Sequence, residues 1–432
     1  MSSIRRTPKE IRTMRRPAKV LTAAIALALL TAGCGSGGSD TTADGKKVLR
    51  IALWNYDQTP EFKALIDGFK AKYPDIEVRP VDILSDDYSE KVTTMLAGGD
   101  TTDVLTMKTL TDYARFGTRG QLQSVTDEAA KLDKAKYGGL DAYDMDGEYY
   151  ALPYRQDFYV LYYNKSLLKD SGADLSGLTW PDYAALAKQQ TRGSGGSKVY
   201  GTYQHTWRSL VQAIAAAQTG GDLLGGDYGF FKDQYAMALD LQKSGAAMPW
   251  ATANSQKVTY KTMFTTDKTV MMPMGTWFAA VLLQEKAAGN FKDDWGMAPL
   301  PQLTADGKAT TFGAPTAFAV NKKAKNSDAA RKFLSFASGP EGAAAVAKIG
   351  ITPSYTDEAI MNTYFSNQGM PSDDLTKKAM HPDTVKLEMP ISEKSSDVDT
   401  ILTEEHQLVM TGEKSLDAGI KEMDSRVKSE VG

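Results

Sequence analysis

The chain has one cysteine, Cys34, and three histidines, His205, His381 and His406, among 432 residues. A single cysteine allows no intramolecular disulfide, so an exported form must be held by its core alone. The histidines stand at no metal-ligand spacing, and no metal site is expected. No Gly-x-Ser-x-Gly elbow, phosphate-binding loop or dinucleotide fingerprint occurs. The usual nucleophilic, nucleotide and nicotinamide chemistries therefore have no sequence support, and no cofactor is expected. Acid pairs such as Asp86-Asp87 and Asp373-Asp374 read as solvated turns, not as glycosidase carboxylates. Nor is there an internal repeat. The uncharged stretch near the N-terminus, Val20 to Leu30, has 11 residues, well short of the roughly 20 that span a bilayer.

What is present begins with an export signal. Residues 1–33 carry seven basic residues against one acid, Glu10, and Thr31-Ala32-Gly33-Cys34 follows the apolar stretch. A basic segment, an apolar segment and a small-residue cleavage site make a secretory signal. Leu30-Thr31-Ala32-Gly33-Cys34 resembles a bacterial lipobox, with Thr31 where an aliphatic residue usually stands. That resemblance implies that Cys34 is diacylated and becomes the first mature residue. The other reading is an ordinary signal followed by an incidental buried cysteine. Arg15-Arg16 admits twin-arginine export beside the general secretory route. Cleavage before Cys34 leaves 399 residues, and since residues 1–33 carry +6 of a total of −3, the remainder carries −9. Such a chain lacks the basic footprint of a nucleic-acid binder. It is also repelled by anionic headgroups, so the Cys34 lipid would be its only hold on a membrane. Residues 35–45 form a polar tether. A chain of this size is expected to form two domains.

Val48–Trp54 reads as a buried strand and Thr59-Pro60-Glu61 as a helix start, with Thr59 as cap. Phe62, Leu65, Ile66, Phe69 and Tyr73 follow at helical spacing, and Ile76–Val78 is the next strand. This βαβ unit predicts a parallel sheet with helices on its faces. The pattern recurs in the helix through Tyr88 to Leu96 and the strand Val104–Met107. Asp146-Gly147 signals a hairpin turn. Phe158–Tyr163 is the strongest strand in the chain. A second α/β region follows, with helices over 181–190, 209–217 and 230–243 and a strand over 270–274 that leads into a helix from about Gly275. Residues 192–198 read as a flexible surface loop, 317–320 as a strand, 327–338 as a helix, and the C-terminus as helical.

Several segments, in order, resemble the bacterial extracellular solute-binding proteins of family 1, the maltose-binding-protein-like receptors of sugar ABC transporters. They are Phe69–Val78, Leu96–Val104, Gly147–Tyr154, Leu161–Lys165, Thr179-Trp180, Met274–Trp277, Trp295–Pro301 and Ala329–Leu334. Thr102 replaces the proline usual before Asp103. The resemblance covers residues 46–432 and implies a two-lobed α/β fold, type II-like, with a mainly parallel sheet in each lobe and ligand in the cleft between. Carried over, lobe one comprises 46–154 plus 302–350 and lobe two 155–301 plus 354–432. It further implies a non-enzymatic, monomeric receptor on the outer face of the cytoplasmic membrane that hands a mono- to short oligosaccharide to an ABC permease. A non-sugar solute and a secreted glycan-processing lipoprotein are the alternatives.

Sugar receptors need aromatic plates for C–H faces and planar polar groups for paired hydroxyls. The 6 Trp, 20 Tyr and 14 Phe are ordinary in total, so position decides. Trp277, after Gly275 at a helix start, stands where the family places a stacking aromatic; a core position under the helix is the other reading. Asp157 stands where related proteins carry a ligand-binding acid at the lobe crossing, and a structural pair with Arg155 is compatible with that role. Trp54, Asn55, Tyr56 and Asp57 end the first strand, which faces the cleft in this fold. Met107 and Lys108 end another strand of the same lobe. His205 and Trp207 lie where the second lobe supplies an aromatic, and Gly313 is expected to let ligand approach the backbone. Residues 391–410 contain no aromatic, unlike the maltose receptors, which favours a smaller sugar.

Overall fold

The computed structural model describes residues 41–42, 44–168 and 172–432. Cys34, with its cleavage and acylation sites, lies outside them. Nine strands form one sheet: β1 (Lys47–Trp54), β2 (Ile76–Ile83), β3 (Val104–Met107), β6 (Ala151–Asn164), β7 (Tyr200–Thr202), β8 (Thr269–Gly275), β9 (Trp295–Ala298), β10 (Thr310–Val320) and β11 (Thr384–Leu387). The remaining two, β4 (Asp144–Met145) and β5 (Glu148–Tyr149), make the expected hairpin. Its turn residues Asp146 and Gly147 have φ of 56° and 88°, the left-handed pair such a turn requires.

The first βαβ unit forms as its sequence predicts: β1 and β2 are parallel, and helix Pro60–Lys72 connects them. Phe62, Leu65, Ile66 and Phe69 are its buried stripe, which drives the helix onto the sheet. Thr59 holds the N-cap position as expected, but its side chain makes no capping hydrogen bond. The Thr59 hydroxyl donates to the Trp54 carbonyl at 3.1 Å, tying the helix start to the end of β1 instead.

The sheet runs β2-β1-β3-β10-β6-β8-β7, and its pairing is mixed. Parallel pairs hold only at β1–β2, β1–β3, β7–β8 and β10–β11. The long strands β6 and β10 run antiparallel to each other; β6 is also antiparallel to β8 and β9, and β10 to β3. The reason is chain path: β6 carries the chain outward and β10 brings it back alongside.

Three stretches run side by side where the hydrophobic clusters change. Tyr154 packs in one cluster and Phe158 in another; Ala317 and Phe312 divide likewise, as do Ile351 and Tyr355. Ser354 N–H donates to the Tyr154 carbonyl at 3.1 Å, and Gln156 N–H to Thr352 at 3.2 Å. The sequence places all of 302–350 with residues 46–154, whereas Phe312 packs against the cluster of Tyr159 and Leu161. β10 thus contributes to two clusters along its own length, since a strand can pass from one to another without a loop to mark it.

Gly313 sits at that crossing. A Cβ there would meet the Asp157 carbonyl oxygen at 2.0 Å, so the glycine lets β10 close against β6. Its place is structural, and it does not line the cleft described next. Elsewhere the helix expected from 209 begins as a 3-10 turn at Arg208–Leu210 and becomes α-helical at Gln212, and the one expected from Gly275 begins at Phe278.

Candidate ligand cleft

The crossings floor a cavity of about 700 Å³. The end of β1 supplies Trp54 and Asn55, helix Pro60–Lys72 supplies Glu61, and the end of β3 is followed by Lys108. Arg155, Asp157 and Thr316 come from the crossing strands, and Trp207, Arg208, Tyr260 and Trp277 from the opposite side. Glu388, just after β11, and Asp399 and Thr403, on helix Ser395–Thr411, close the wall.

A buried ion triad holds the floor. Arg155 Nη1 donates to Glu61 Oε1 at 2.7 Å, its Nε lies 3.0 Å from Asp157 Oδ2, and Thr316 Oγ1 accepts from Nε at 3.1 Å. Thr276 Oγ1 donates to Asp157 Oδ1 at 3.0 Å. Burial pushes both carboxyls up, and the guanidinium between them pulls them down. The expected Arg155–Asp157 pair is thus real, and Glu61 is a third member that the sequence reading missed. An acid in a helix first turn is ordinarily explained by the helix dipole alone, so its position carried no signal of the triad.

Trp277 is half-buried at the head of helix Phe278–Ala287 and packs against three of the four hydrophobic clusters. Its ring is edge-on to Tyr159 at 5.4 Å and lies 6.1 Å from Trp207. A Cβ at Gly275 would fall 1.9 Å from the Trp277 ring, so that glycine lets the indole fold back over β8. Gly275 supports the plate and does not itself line the cavity. Trp277 both packs the junction and borders the cleft.

Trp207 is 37% exposed, the condition of an aromatic open to a ligand. His205 is placed behind it, not in the cleft. Its ring meets Trp207 at 4.4 Å and Tyr260 at 5.4 Å, edge to face, and its Nδ1 is 3.1 Å from the Tyr203 hydroxyl. Burial lowers its pKa to about 4, so at neutral pH it is an uncharged brace.

Trp54 is largely buried against Phe62 and Tyr88, at 4.9 and 5.3 Å, and presents only part of its ring. Asn55 has φ 42° and ψ 52°, and its Oδ1 accepts from Ser85 N–H at 3.0 Å. Tyr56 and Asp57 belong to the 3-10 turn that follows and are not part of the lining. Met107 is fully buried and serves the core. Lys108 Nζ donates to the Ser85 hydroxyl at 2.8 Å and lies 5.4 Å from the Trp54 ring centre. Burial pushes its ammonium down, against the carboxylates of Asp86 and Asp112.

Arg208, Tyr260, Glu388 and Asp399 also line the cavity without having been expected. Arg208 carried a signal, since it follows Trp207 directly; Glu388 and Asp399 had none, being brought back from the far end of the chain. Arg208 Nε donates to Asp399 Oδ1 at 2.7 Å and Nη1 to Gln212 Oε1 at 3.2 Å.

An α/β fold with strands crossing between two cores under one cleft defines a two-lobed binding protein. The profile for bacterial extracellular solute-binding proteins matches residues 56–344, and the chain belongs to that family. A sugar transporter from Rhizobium etli, solved in an open conformation, is 34% identical; the match covers 88% of this chain and 99% of that one, with a TM-score of 0.76. The maltodextrin-binding protein MdxE of Bacillus subtilis is 26% identical over 337 residues, covering 73% of this chain and 75% of its own. A maltooligosaccharide ABC transporter solute-binding lipoprotein of Streptococcus pneumoniae is 25% identical, with 74% and 76% covered. The maltose-bound MalE3 of T. maritima, at 18% identity and a TM-score of 0.72 over 89% of this chain, shares the fold.

Proposed function

We propose that the protein is a lipid-anchored receptor that captures a mono- to short oligosaccharide outside the cell and delivers it to an ABC permease without chemical turnover. The observation that carries this reading is the set of aromatic rings, Trp54, Trp207, Tyr260 and Trp277, lining one cleft together with paired carboxylate and guanidinium groups. Rings cover the C–H faces of a pyranose, and planar ionic groups satisfy adjacent hydroxyls. The sugar-related names among the relatives support the same ligand class. Ligand touching both walls would favour the closed arrangement by its extra contacts there, with the three crossings as hinge.

A saccharide panel tests this by thermal shift followed by calorimetry. A mono- to tetrasaccharide at one hundred times its dissociation constant is expected to stabilise the protein by about 2.7 kcal/mol. Stabilisation by amino acids alone, or release of hydrolysis products, would overturn the reading. Anchoring has its own test. The Cys34→Ser chain is expected in the medium or unprocessed, whereas the unaltered protein partitions with membranes and carries acyl mass on Cys34; an unacylated Cys34 in the membrane fraction would defeat the claim.

A further inference from the structure

The cleft lining holds five carboxylates, Glu61, Asp86, Asp157, Glu388 and Asp399, against the three cations Lys108, Arg155 and Arg208. Every one of those cations is already engaged by the protein. Arg155 lies between Glu61 and Asp157, Arg208 is paired with Asp399, and Lys108 is bound to Ser85 with Asp86 and Asp112 beside it. A carboxylate or phosphate entering the cavity would find two of the three cations held in ion pairs and Lys108 tied to Ser85, and it would meet the surplus negative charge in a partly desolvated space.

Glu388 lines the cavity outside both the Arg155 triad and the Arg208–Asp399 pair. Burial pushes its carboxyl up, while the Arg208 charge and the Ser209 hydroxyl oppose the rise; the Arg208 ion pair itself is made with Asp399. Its backbone N–H is fixed to the Gly313 carbonyl at 3.0 Å, which holds it at the crossing. Tyr159 also feels its charge, and the Tyr159 ring stacks on Phe312 at 4.1 Å and meets Trp277 edge-on. A carboxylate beside aromatic rings is the recognition chemistry for a protonated amine, which gains an ion pair and ring contact together.

We infer that this cleft is selective for charge, and that its preferred ligand is an amine-bearing saccharide whose ammonium is received by Glu388. This rests on the carbohydrate reading above and specifies its ligand class. The test titrates the full mature protein with glucosamine trimer, glucose trimer (cellotriose) and glucuronate trimer at low and high salt. The expected order is amine, neutral, acid, with an advantage of about tenfold for the amine over the neutral trimer, the scale of one charge-assisted hydrogen bond. High salt should shrink that ratio, and Glu388→Gln should bring it near unity. Equal or weaker binding of the amine than of the neutral trimer by the unaltered protein would overturn the inference and leave the carbohydrate reading standing. Binding of no saccharide in the panel would overturn both. Because the ratio is first read on the unaltered chain, poor folding of the Glu388 variant cannot mask the result.

Discussion

Replacing Trp277 with alanine is expected to weaken ligand binding thirtyfold to a thousandfold, on the order of 2–4 kcal/mol for a central aromatic anchor. The ring borders the cleft beside Trp207 and is held edge-on by Tyr159. Removing it leaves a ligand face open to water. The same ring packs against three hydrophobic clusters, so the ligand-free protein should also melt earlier. Because the ring is only half-buried, that stability cost should fall below the 3–5 kcal/mol of a fully buried tryptophan. Calorimetric titration and a melt of the free protein separate the two contributions. Unchanged affinity with a lowered melting temperature would assign Trp277 to packing alone.

Arg155→Ala should be the more damaging change to the fold. The substitution leaves Glu61 and Asp157 buried without their cation, and breaking a buried ion pair from one side costs about 3–5 kcal/mol. The Thr276 hydroxyl and the Trp277 backbone N–H still donate to Asp157, but neither replaces the lost positive charge. The loss should depend on pH in a definite direction. Burial already raises both carboxyl pKa values above their ordinary positions, and Arg155 is the group that opposes the rise. Without it the folded-state values climb further. The folded protein then binds protons that the unfolded chain releases, so the deficit is full at high pH. It shrinks as pH falls through the raised folded values and vanishes near the unfolded carboxyl pKa of about 4. Urea unfolding at pH 7 and pH 5 measures this. A variant as stable as the parent at pH 7, or one whose deficit grows on acidification, would show that the triad does not carry the electrostatic load assigned to it.

Much of the architecture was legible along the chain because it depends on local periodicity. The apolar run of β1, the helical stripe from Phe62 to Phe69 and the Asp146-Gly147 turn each specify their own conformation with little outside help. The mixed sheet was not legible. Strand direction depends on where the chain returns, and β10 comes back beside β6 from more than 140 residues away.

The cleft divides in the same way. Trp54, Asn55, Lys108, Arg155, Asp157, Trp207 and Trp277 all line it, and each stands at the end of an element or at a chain crossing, positions that the family resemblance marks. His205, Gly275 and Gly313 stand next to such positions yet serve as brace, clearance and close contact, because a ring or a backbone oxygen occupies the space a ligand would need. Neighbourhood in sequence does not say which of two adjacent side chains faces the cavity.

The sequence by itself determined the α/β class, the family and the absence of a disulfide framework, since each follows from composition, short-range order or recurring segments. Only the tertiary structure decided which charges meet. Glu61 joins Arg155 from 94 positions away and Asp399 joins Arg208 from 191, while Glu388 is brought to the crossing by its backbone bond to Gly313. Ion pairing falls off over a few ångströms of space and takes no account of distance along the chain, so the charge balance of this cleft exists only once the chain has folded.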